Sequence, residues 1–149
     1  MITLTNIVPS DNSLDARLEI ELPYDMRKKS RFKAVARCGE EVGLILPRGH
    51  ILRNDTLLTN DEGDVAVVKA AAEKVSKASV NDPIALAKAA YHLGNRHVPV
   101  QVGEGWLRYQ HDHVLDDMVT GLGLDVVVEL AGFEPEDGAY SNGGHHHHH

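Results

Sequence analysis

The sequence contains a single cysteine, Cys38, and few aromatic residues, which make up 5% of the chain. One cysteine excludes an internal disulfide and any metal site built from several thiolates. Because aromatic side chains are scarce, the hydrophobic core is expected to consist mainly of Val, Leu, Ile and Ala. No apolar run approaches the ~20 residues that a membrane helix requires, so no membrane span is predicted.

Positive charge is also scarce, since 15 Lys and Arg against 22 Asp and Glu give a formal net charge of −7. Nonspecific binding to nucleic acid depends on neutralising phosphates with Lys and Arg, so this balance argues against a nucleic-acid partner. Met1–Asn12 hold neither a basic segment nor a cleavage site. We therefore expect no signal peptide and a cytoplasmic protein.

The first part of the chain shows the two-residue alternation of half-buried strands and no helix signal. The alternation is clearest at Ile2–Asn6 and Leu18–Leu22. A hairpin is predicted over Phe32–Leu46, with its turn at Cys38-Gly39-Glu40. Val65–Ala70 predicts a further short strand. The sequence therefore predicts an all-β N-terminal domain over residues 1–73.

Residues 74–131 predict the order β-α-β-β-α-β, the ferredoxin-like arrangement. The predicted strands are Val75–Val80, Val98–Val102, Trp106–Gln110 and Asp125–Leu130. Together with the first domain, this pattern predicts an α+β fold.

Both helices of this second domain have recognisable starts. Asn81-Asp82-Pro83 supplies an N-cap and a proline at the first helical position, and Gly94 is predicted to stop the helix. Its predicted core stripe consists of Ile84, Ala87 and Tyr91. Asp112 is predicted to cap the second helix, which ends at Gly121 and Gly123. Its apolar stripe is Val114, Leu115, Met118, Val119 and Leu122, with Asp116 and Asp117 off the stripe.

Proline, glycine, glutamate, asparagine and histidine dominate from Ala131 onward, so a flexible tail is predicted over residues 132–149. The tail ends in five consecutive histidines, which are His145, His146, His147, His148 and His149. A terminal histidine run is typical of an expression tag. The residues leave open a tag, a native tail and a native tail cut short.

The internal histidines differ in what their positions suggest. His97 follows the predicted helix stop, where a histidine bonded to the backbone is typical, and His92 falls in the last turn, where a cation complements the helix dipole. His111 and His113 differ by two, which places both rings on one face of a strand but about 200° apart on a helix. A metal-dependent hydrolase would need a third or fourth ligand beside this pair, for which Asp112 and Asp116 are near in sequence.

The residue types also limit the metal. Without cysteine partners, soft sites for copper(I) or thiolate zinc are excluded, whereas imidazole suits nickel, copper(II) and zinc. One histidine at position 97 cannot hold a metal firmly, but a two-fold axis beside it would bring in the same residue from a second copy. Such a site keeps open positions, which suits delivery rather than storage or catalysis.

Two stretches, YHLGNRHVPVQ and LRYQHDHVLDDMVTGLGL, resemble the signature region of the urease accessory nickel metallochaperones, the UreE family. RKKSRFKA, LILPRGHILRNDTLL and FEPEDGAY are similar to that family as well, so the resemblance runs from about Arg27 to Tyr140. It implies an N-terminal domain like the peptide-binding domain of J-type co-chaperones. It also implies a ferredoxin-like domain that forms a homodimer.

The resemblance further implies that His97 and its symmetry mate bind Ni(II) at the dimer interface. It implies a peripheral site at His111 and His113 for Cu(II) or other ions such as Zn(II), and extra nickel capacity in a His-rich C-terminus. The protein would then be no enzyme, and would pass nickel to the urease apoprotein activation complex, chiefly through the accessory GTPase. The uninterrupted tail run departs from family tails, which usually intersperse other residues.

Two alternatives stay open at this point. The chain could be a two-domain interaction scaffold of the urease activation complex whose metal binding is incidental. The one basic cluster is typical of a solvated edge strand, and a docking patch for an acidic partner stays open beside it. Its members are Arg27, Lys28, Lys29, Arg31 and Lys33.

Overall fold

The computed structural model describes residues 1–9 and 13–138. These residues form two compact units, the first holding Met1–Ala71 together with Asp137 and Gly138, and the second Ala72–Glu136. The first unit is built on β-strands and the second mixes helices with strands, so the predicted α+β fold is confirmed. None of the described helices is long and apolar enough to cross a membrane.

Two sheets build the first unit. One has the strand order β1-β5-β4, with β1 (Ile2–Leu4), β4 (Arg31–Val35) and β5 (Glu41–Ile45). The other has the order β2-β6-β7-β3, with β2 (Asn6–Val8), β3 (Leu18–Leu22), β6 (Leu57–Thr59) and β7 (Val65–Ala70). The core of the unit is aliphatic, as expected, and includes Leu4, Leu18, Ile20, Val42, Leu44, Leu58 and Val68.

The predicted hairpin of the first unit is present, since β4 and β5 pair antiparallel from Arg31↔Ile45 to Val35↔Glu41. Gly39 in its turn has φ of +96°, a conformation that glycine adopts without strain. The pairings of β1 with β5 and of β3 with β7 are parallel. Parallel partners lie far apart along the chain, so local sequence carries no signal for them.

A one-turn helix, α1 (Tyr24–Arg27), interrupts these strands, and the prediction that this half holds no helix is wrong. Four residues are too few to produce a periodic pattern. Arg27 is fully buried, and its guanidinium donates to the carbonyl oxygens of Leu22 and Leu52 at 3.1 and 3.0 Å. It therefore has a structural role, while the other four members of the basic cluster are exposed.

The second unit has the predicted order of elements. They are β8 (Ala72–Ser79), α2 (Pro83–Asn95), β9 (Gln101–Gly103), β10 (Trp106–Gln110), α3 (His113–Gly121) and β11 (Asp125–Gly132). The strands form an antiparallel sheet of order β11-β8-β10-β9. The core joins residues of both helices to one face of the sheet, through Ala78, Ala89, Leu93, Leu107, Tyr109, Val119 and Leu124.

Helix α2 begins as predicted, because the Asp82 carboxylate accepts from the N–H of Ile84 at 3.0 Å. The predicted stop at Gly94 is wrong, since the helix continues to Asn95. The predicted core stripe is wrong as well. Ile84, Ala87 and Tyr91 are exposed, while the helix turns Leu86, Ala89 and Leu93 toward the core. Both stripes have helical spacing, so periodicity alone does not decide between them.

The strand predicted at Val98–Val102 is shorter and later, since β9 covers Gln101–Gly103. Val98 completes the end of α2 with its backbone N–H. Pro99 has no backbone N–H to give to a sheet. For these two reasons the strand begins only at Gln101.

The prediction of a flexible tail over residues 132–149 is wrong for the first part of that range. Strand β11 continues to Gly132, and Phe133 is fully buried. The backbone N–H of Glu134 donates to the Gln101 side chain at 3.0 Å, and that of Glu136 donates to the Val100 carbonyl at 2.8 Å. One aromatic anchor thus orders a segment of polar composition. The run His145–His149 lies outside the described residues.

Candidate metal centre

The backbone at the end of α2 sets the position of His97. The N–H of Val98 donates to the Leu93 carbonyl at 3.2 Å, and the N–H of His97 donates to the Gly94 carbonyl at 2.9 Å. This pair of bonds is the Schellman motif, in which the residue after the C-cap adopts the left-handed conformation. His97 is that residue, with φ of +59°.

Histidine is an unusual choice at this position. Glycine normally takes it, and a residue with a Cβ pays about 1–2 kcal/mol in the left-handed region. Leu93, which is fully buried, and Val98, which packs against the same core, hold the motif in place. The His97 side chain is exposed, and it forms no hydrogen bond or ion pair within the described part of the chain. The ring is thus presented to solvent by the backbone alone.

The neighbouring His92 lies in the last turn of α2, as predicted. Its ring packs edge-on against Tyr91 with the centroids 5.3 Å apart, and its backbone carbonyl accepts from the Arg96 guanidinium at 3.1 Å. His50 is exposed in the first unit.

His111 is held by side chains. It follows β10, and its backbone N–H donates to the Lys74 carbonyl at 3.2 Å. Its ring atom Nδ1 lies 3.1 Å from Asp116 Oδ2 and 3.1 Å from Ser76 Oγ. The other carboxylate oxygen, Asp116 Oδ1, accepts from the Tyr109 hydroxyl at 2.7 Å. Asp116 therefore joins Tyr109 to His111.

This cluster is largely shielded from water. Tyr109 and Ser76 are fully buried, and the side chains of His111 and Asp116 are 25% and 16% exposed. Burial first, and then the hydrogen bond to Asp116, raise the pKa of Tyr109 above the usual range of a phenol. The phenol consequently stays protonated, and its O–H group donates a hydrogen bond to the carboxylate. Asp116 lies off the apolar stripe of α3, yet its side chain turns toward the sheet to reach Tyr109 and His111.

The second member of the HxH pair stands on a different element, because His113 is the first residue of α3 and is exposed. Between the two, Asp112 caps the helix, and its Oδ1 accepts from the N–H groups of Val114 and Leu115 at 2.8 and 3.2 Å. The carboxylate of Asp112, the one residue between the two histidines, is therefore occupied as the helix cap. Among the described residues, no three His, Cys, Asp or Glu side chains group together as a metal site.

The cluster around His111 does not have the geometry of a Ser-His-Asp catalytic triad. A Ser-His-Asp nucleophile needs the hydroxyl and the carboxylate on opposite ring nitrogens. Here Ser76 and Asp116 approach the same nitrogen. Two members of the cluster, Ser76 and Tyr109, were not among the site residues predicted from sequence. Tyr109 could have been found, because it lies two residues before His111, and side chains two apart share a face where the backbone is extended.

Comparison with known proteins covers nearly the whole chain. Residues 4–71 match the family model of the N-terminal domain of the UreE urease accessory protein, and residues 73–149 match that of its C-terminal domain. The urease accessory protein UreE of Alkalilimnicola ehrlichii is 56% identical over 140 residues, covering 94% of this chain and 85% of the relative. The protein of the same name from Vibrio parahaemolyticus is 53% identical over 145 residues, covering 94% and 91% of the two chains.

Proposed function

Because the chain belongs to the UreE family of urease accessory proteins, we propose that it is a nickel-binding metallochaperone that delivers Ni(II) for assembly of the urease active site. The observation that carries the proposal is the presentation of His97. An exposed imidazole at a strained helix end, with no partner among the described residues, is poised to bind something from outside the chain. Backbone strain of this kind is typical of functional positions.

The exposed side of α2 supports a homodimer around this residue. Ile84 and Tyr91 are each 66% exposed on the helix that ends beside His97. Large apolar side chains repeated on one helix face favour burial against a partner. A second copy packed on this stripe about a two-fold axis would bring the two His97 residues toward one another. Two imidazoles leave nickel with open positions, which suits transfer to another protein.

The remaining histidines add capacity in this proposal. His111 and His113 form a peripheral site for Cu(II), Zn(II) or Ni(II), and His145–His149 recruit nickel or complete its coordination. The receiving partners are the urease accessory GTPase and the urease apoprotein activation complex. In this proposal the protein acts in the cytoplasm as a carrier and is no enzyme.

Calorimetric titration with Ni(II) tests the proposal. It compares the full-length protein, His97→Ala and the matched control His50→Ala, all with the five tail histidines replaced by Ala. We expect a tight site of one nickel per two chains that is lost in His97→Ala and retained in His50→Ala. Light scattering on the same samples reports the oligomeric state.

Survival of the tight dimer-linked site in His97→Ala would refute the assignment of the transfer site. Urease activation measured with the same variant separates the carrier from the interaction scaffold. Loss of activation at limiting nickel is expected for a carrier, whereas a scaffold would activate urease normally without His97.

A further inference from the structure

The side-chain cluster at the end of β10 prepares His111 in a defined state before any metal arrives. We infer that Asp116, backed by Tyr109, is a positioning residue that fixes the tautomer of His111, so that Nε2 is the nitrogen offered to the metal. This inference rests on the proposed function, because it concerns the peripheral site assigned there to His111 and His113.

The position of the ring proton follows from the carboxylate. An ionised carboxylate accepts hydrogen bonds and donates none. Asp116 Oδ2, 3.1 Å from Nδ1, is therefore attracted to that nitrogen only when Nδ1 carries the proton. A neutral imidazole with its proton on Nδ1 has its lone pair on Nε2, which is the atom that then binds a metal.

Tyr109 secures the direction of this hydrogen-bond chain. Its hydroxyl donates to Asp116 Oδ1 at 2.7 Å, because a carboxylate oxygen can only accept. The carboxylate thus accepts from the phenol on one oxygen and from the imidazole on the other. The Ser76 hydroxyl, also 3.1 Å from Nδ1, fits the same scheme as a second acceptor of the Nδ1 proton.

The three residues that hold the His111 ring all lie in strands or helices. Tyr109 is a buried residue of β10, and Ser76 is a buried residue of the adjacent strand β8, opposite it in register. Asp116 lies in the first turn of α3, where its N–H donates to the Asp112 carbonyl at 2.9 Å. A carboxylate that orients a ligand histidine typically contributes 10–100-fold to metal affinity. The same partner pattern is absent from the exposed His97 and His113 within the described residues.

The test combines the ring tautomer with metal binding in Asp116→Asn, an isosteric change that turns one acceptor into a donor. Asp117→Asn is the matched control, because Asp117 is an exposed carboxylate on the same helix and its loss changes the charge equally. Proteins labelled with ¹⁵N-histidine, all with the tail histidines replaced by Ala, give the tautomer from the ring nitrogen shifts without metal. Titration with Cu(II) then gives binding from the broadening of the His111 ring signal.

We expect the Nδ1–H tautomer for His111 in the parent protein and in Asp117→Asn. In Asp116→Asn the amide donates to Nδ1, so the ring shifts to the Nε2–H tautomer and binds Cu(II) roughly 10–100-fold more weakly. An Nε2–H tautomer in the parent protein would overturn the inference without any variant. Equal tautomers and equal Cu(II) binding in the two Asn variants would also overturn it.

His111→Ala separates this inference from the proposed function. If the His113 ring binds Cu(II) as well in His111→Ala as in the parent, the proposed peripheral site itself is wrong. If His111→Ala abolishes that binding while Asp116→Asn matches its control, the site stands and the positioning role of Asp116 falls. Tyr109→Phe provides a second probe that keeps the carboxylate, and a smaller shift toward Nε2–H is expected.

Discussion

His97 and His111 belong to the same unit, yet the protein positions their rings in opposite ways. At His97 two backbone hydrogen bonds fix the main chain and leave the ring without a partner among the described residues. At His111 the ring itself is held by Asp116 and Ser76, with Tyr109 behind them. One site controls where an imidazole stands, and the other also controls which nitrogen it offers.

The difference suits the two tasks proposed for them. A ring without side-chain partners can turn toward a second copy or a receiving protein, and it would release a bound metal without breaking a hydrogen-bond chain. A ring with a fixed tautomer is prepared for binding and loses little entropy when the metal arrives. Four changes test this contrast, in order of decreasing expected effect.

Leu93→Ala should have the largest effect, because the Leu93 side chain is fully buried in the core next to the Schellman motif. A cavity at such a site typically costs about 2–5 kcal/mol of unfolding free energy. Urea unfolding measures the loss, with the exposed Val114→Ala as the control. If His97 and His111 are held independently, the His111 tautomer should be unchanged in the folded Leu93→Ala variant. A changed tautomer would show that the two sites are coupled.

Tyr109→Phe should cost about 1.5–3 kcal/mol at neutral pH, since it removes a buried hydrogen bond to a charged group. The pKa of Tyr109 is raised above its ordinary value of 10.0, first by burial and then by Asp116. Above about pH 10 the unfolded chain loses this proton while the folded chain retains it, so the contribution to stability declines as pH rises. Urea unfolding from about pH 8 to 11 should show that the difference in unfolding free energy between parent and variant becomes smaller. A difference that stays constant over this range would contradict the raised pKa of Tyr109.

Asp112→Ala should lower the unfolding free energy by about 1 kcal/mol, because it removes the N-cap of α3. Asp117→Ala, on the same helix and without a cap role, is the control. Since α3 carries Asp116, the variant should also loosen the hold on His111, visible as exchange broadening of its ring signal. Equal stability of the two variants would rule out the cap.

His97→Gly should be more stable than His97→Ala by about 0.5–1 kcal/mol. Glycine relieves the left-handed strain of about 1–2 kcal/mol but loses more freedom on folding. Thermal or urea unfolding of the two variants without metal measures the difference. Both should lose the tight nickel site, which separates stability from binding. An alanine variant at least as stable as the glycine one would show that the backbone at His97 carries no strain.

The sequence predicts most of the second unit because its signals are local. Asp82 and Asp112 cap helices as their positions indicate, and the order of six elements follows from periodicity and turns. The exposed stripe of α2 was not predicted, because two apolar faces of equal period compete and only packing decides. The residue expected to stop α2 was Gly94, but a glycine is tolerated inside a helix when the next turn is closed by tertiary contacts.

The residues of the candidate site also differ in how far the sequence predicts them. His97, His111 and His113 can be singled out from spacing and family motif, and their roles in metal binding remain predictions. The link from His111 to Ser76 joins residues 35 positions apart in the chain. Neither residue type is unusual in its own strand, so this link emerges only when β8 and β10 pair. Likewise Phe133 gives no periodic pattern, so its burial emerges only in the folded chain.

The segment that follows β11 also bears on how the sheet of the second unit meets other molecules. Strand β9 is one edge of the sheet β11-β8-β10-β9. The N–H of Glu134 donates to the Gln101 side chain, and the N–H of Glu136 donates to the Val100 carbonyl. This edge is therefore partly covered by the protein's own chain, which disfavours pairing with a strand of another molecule.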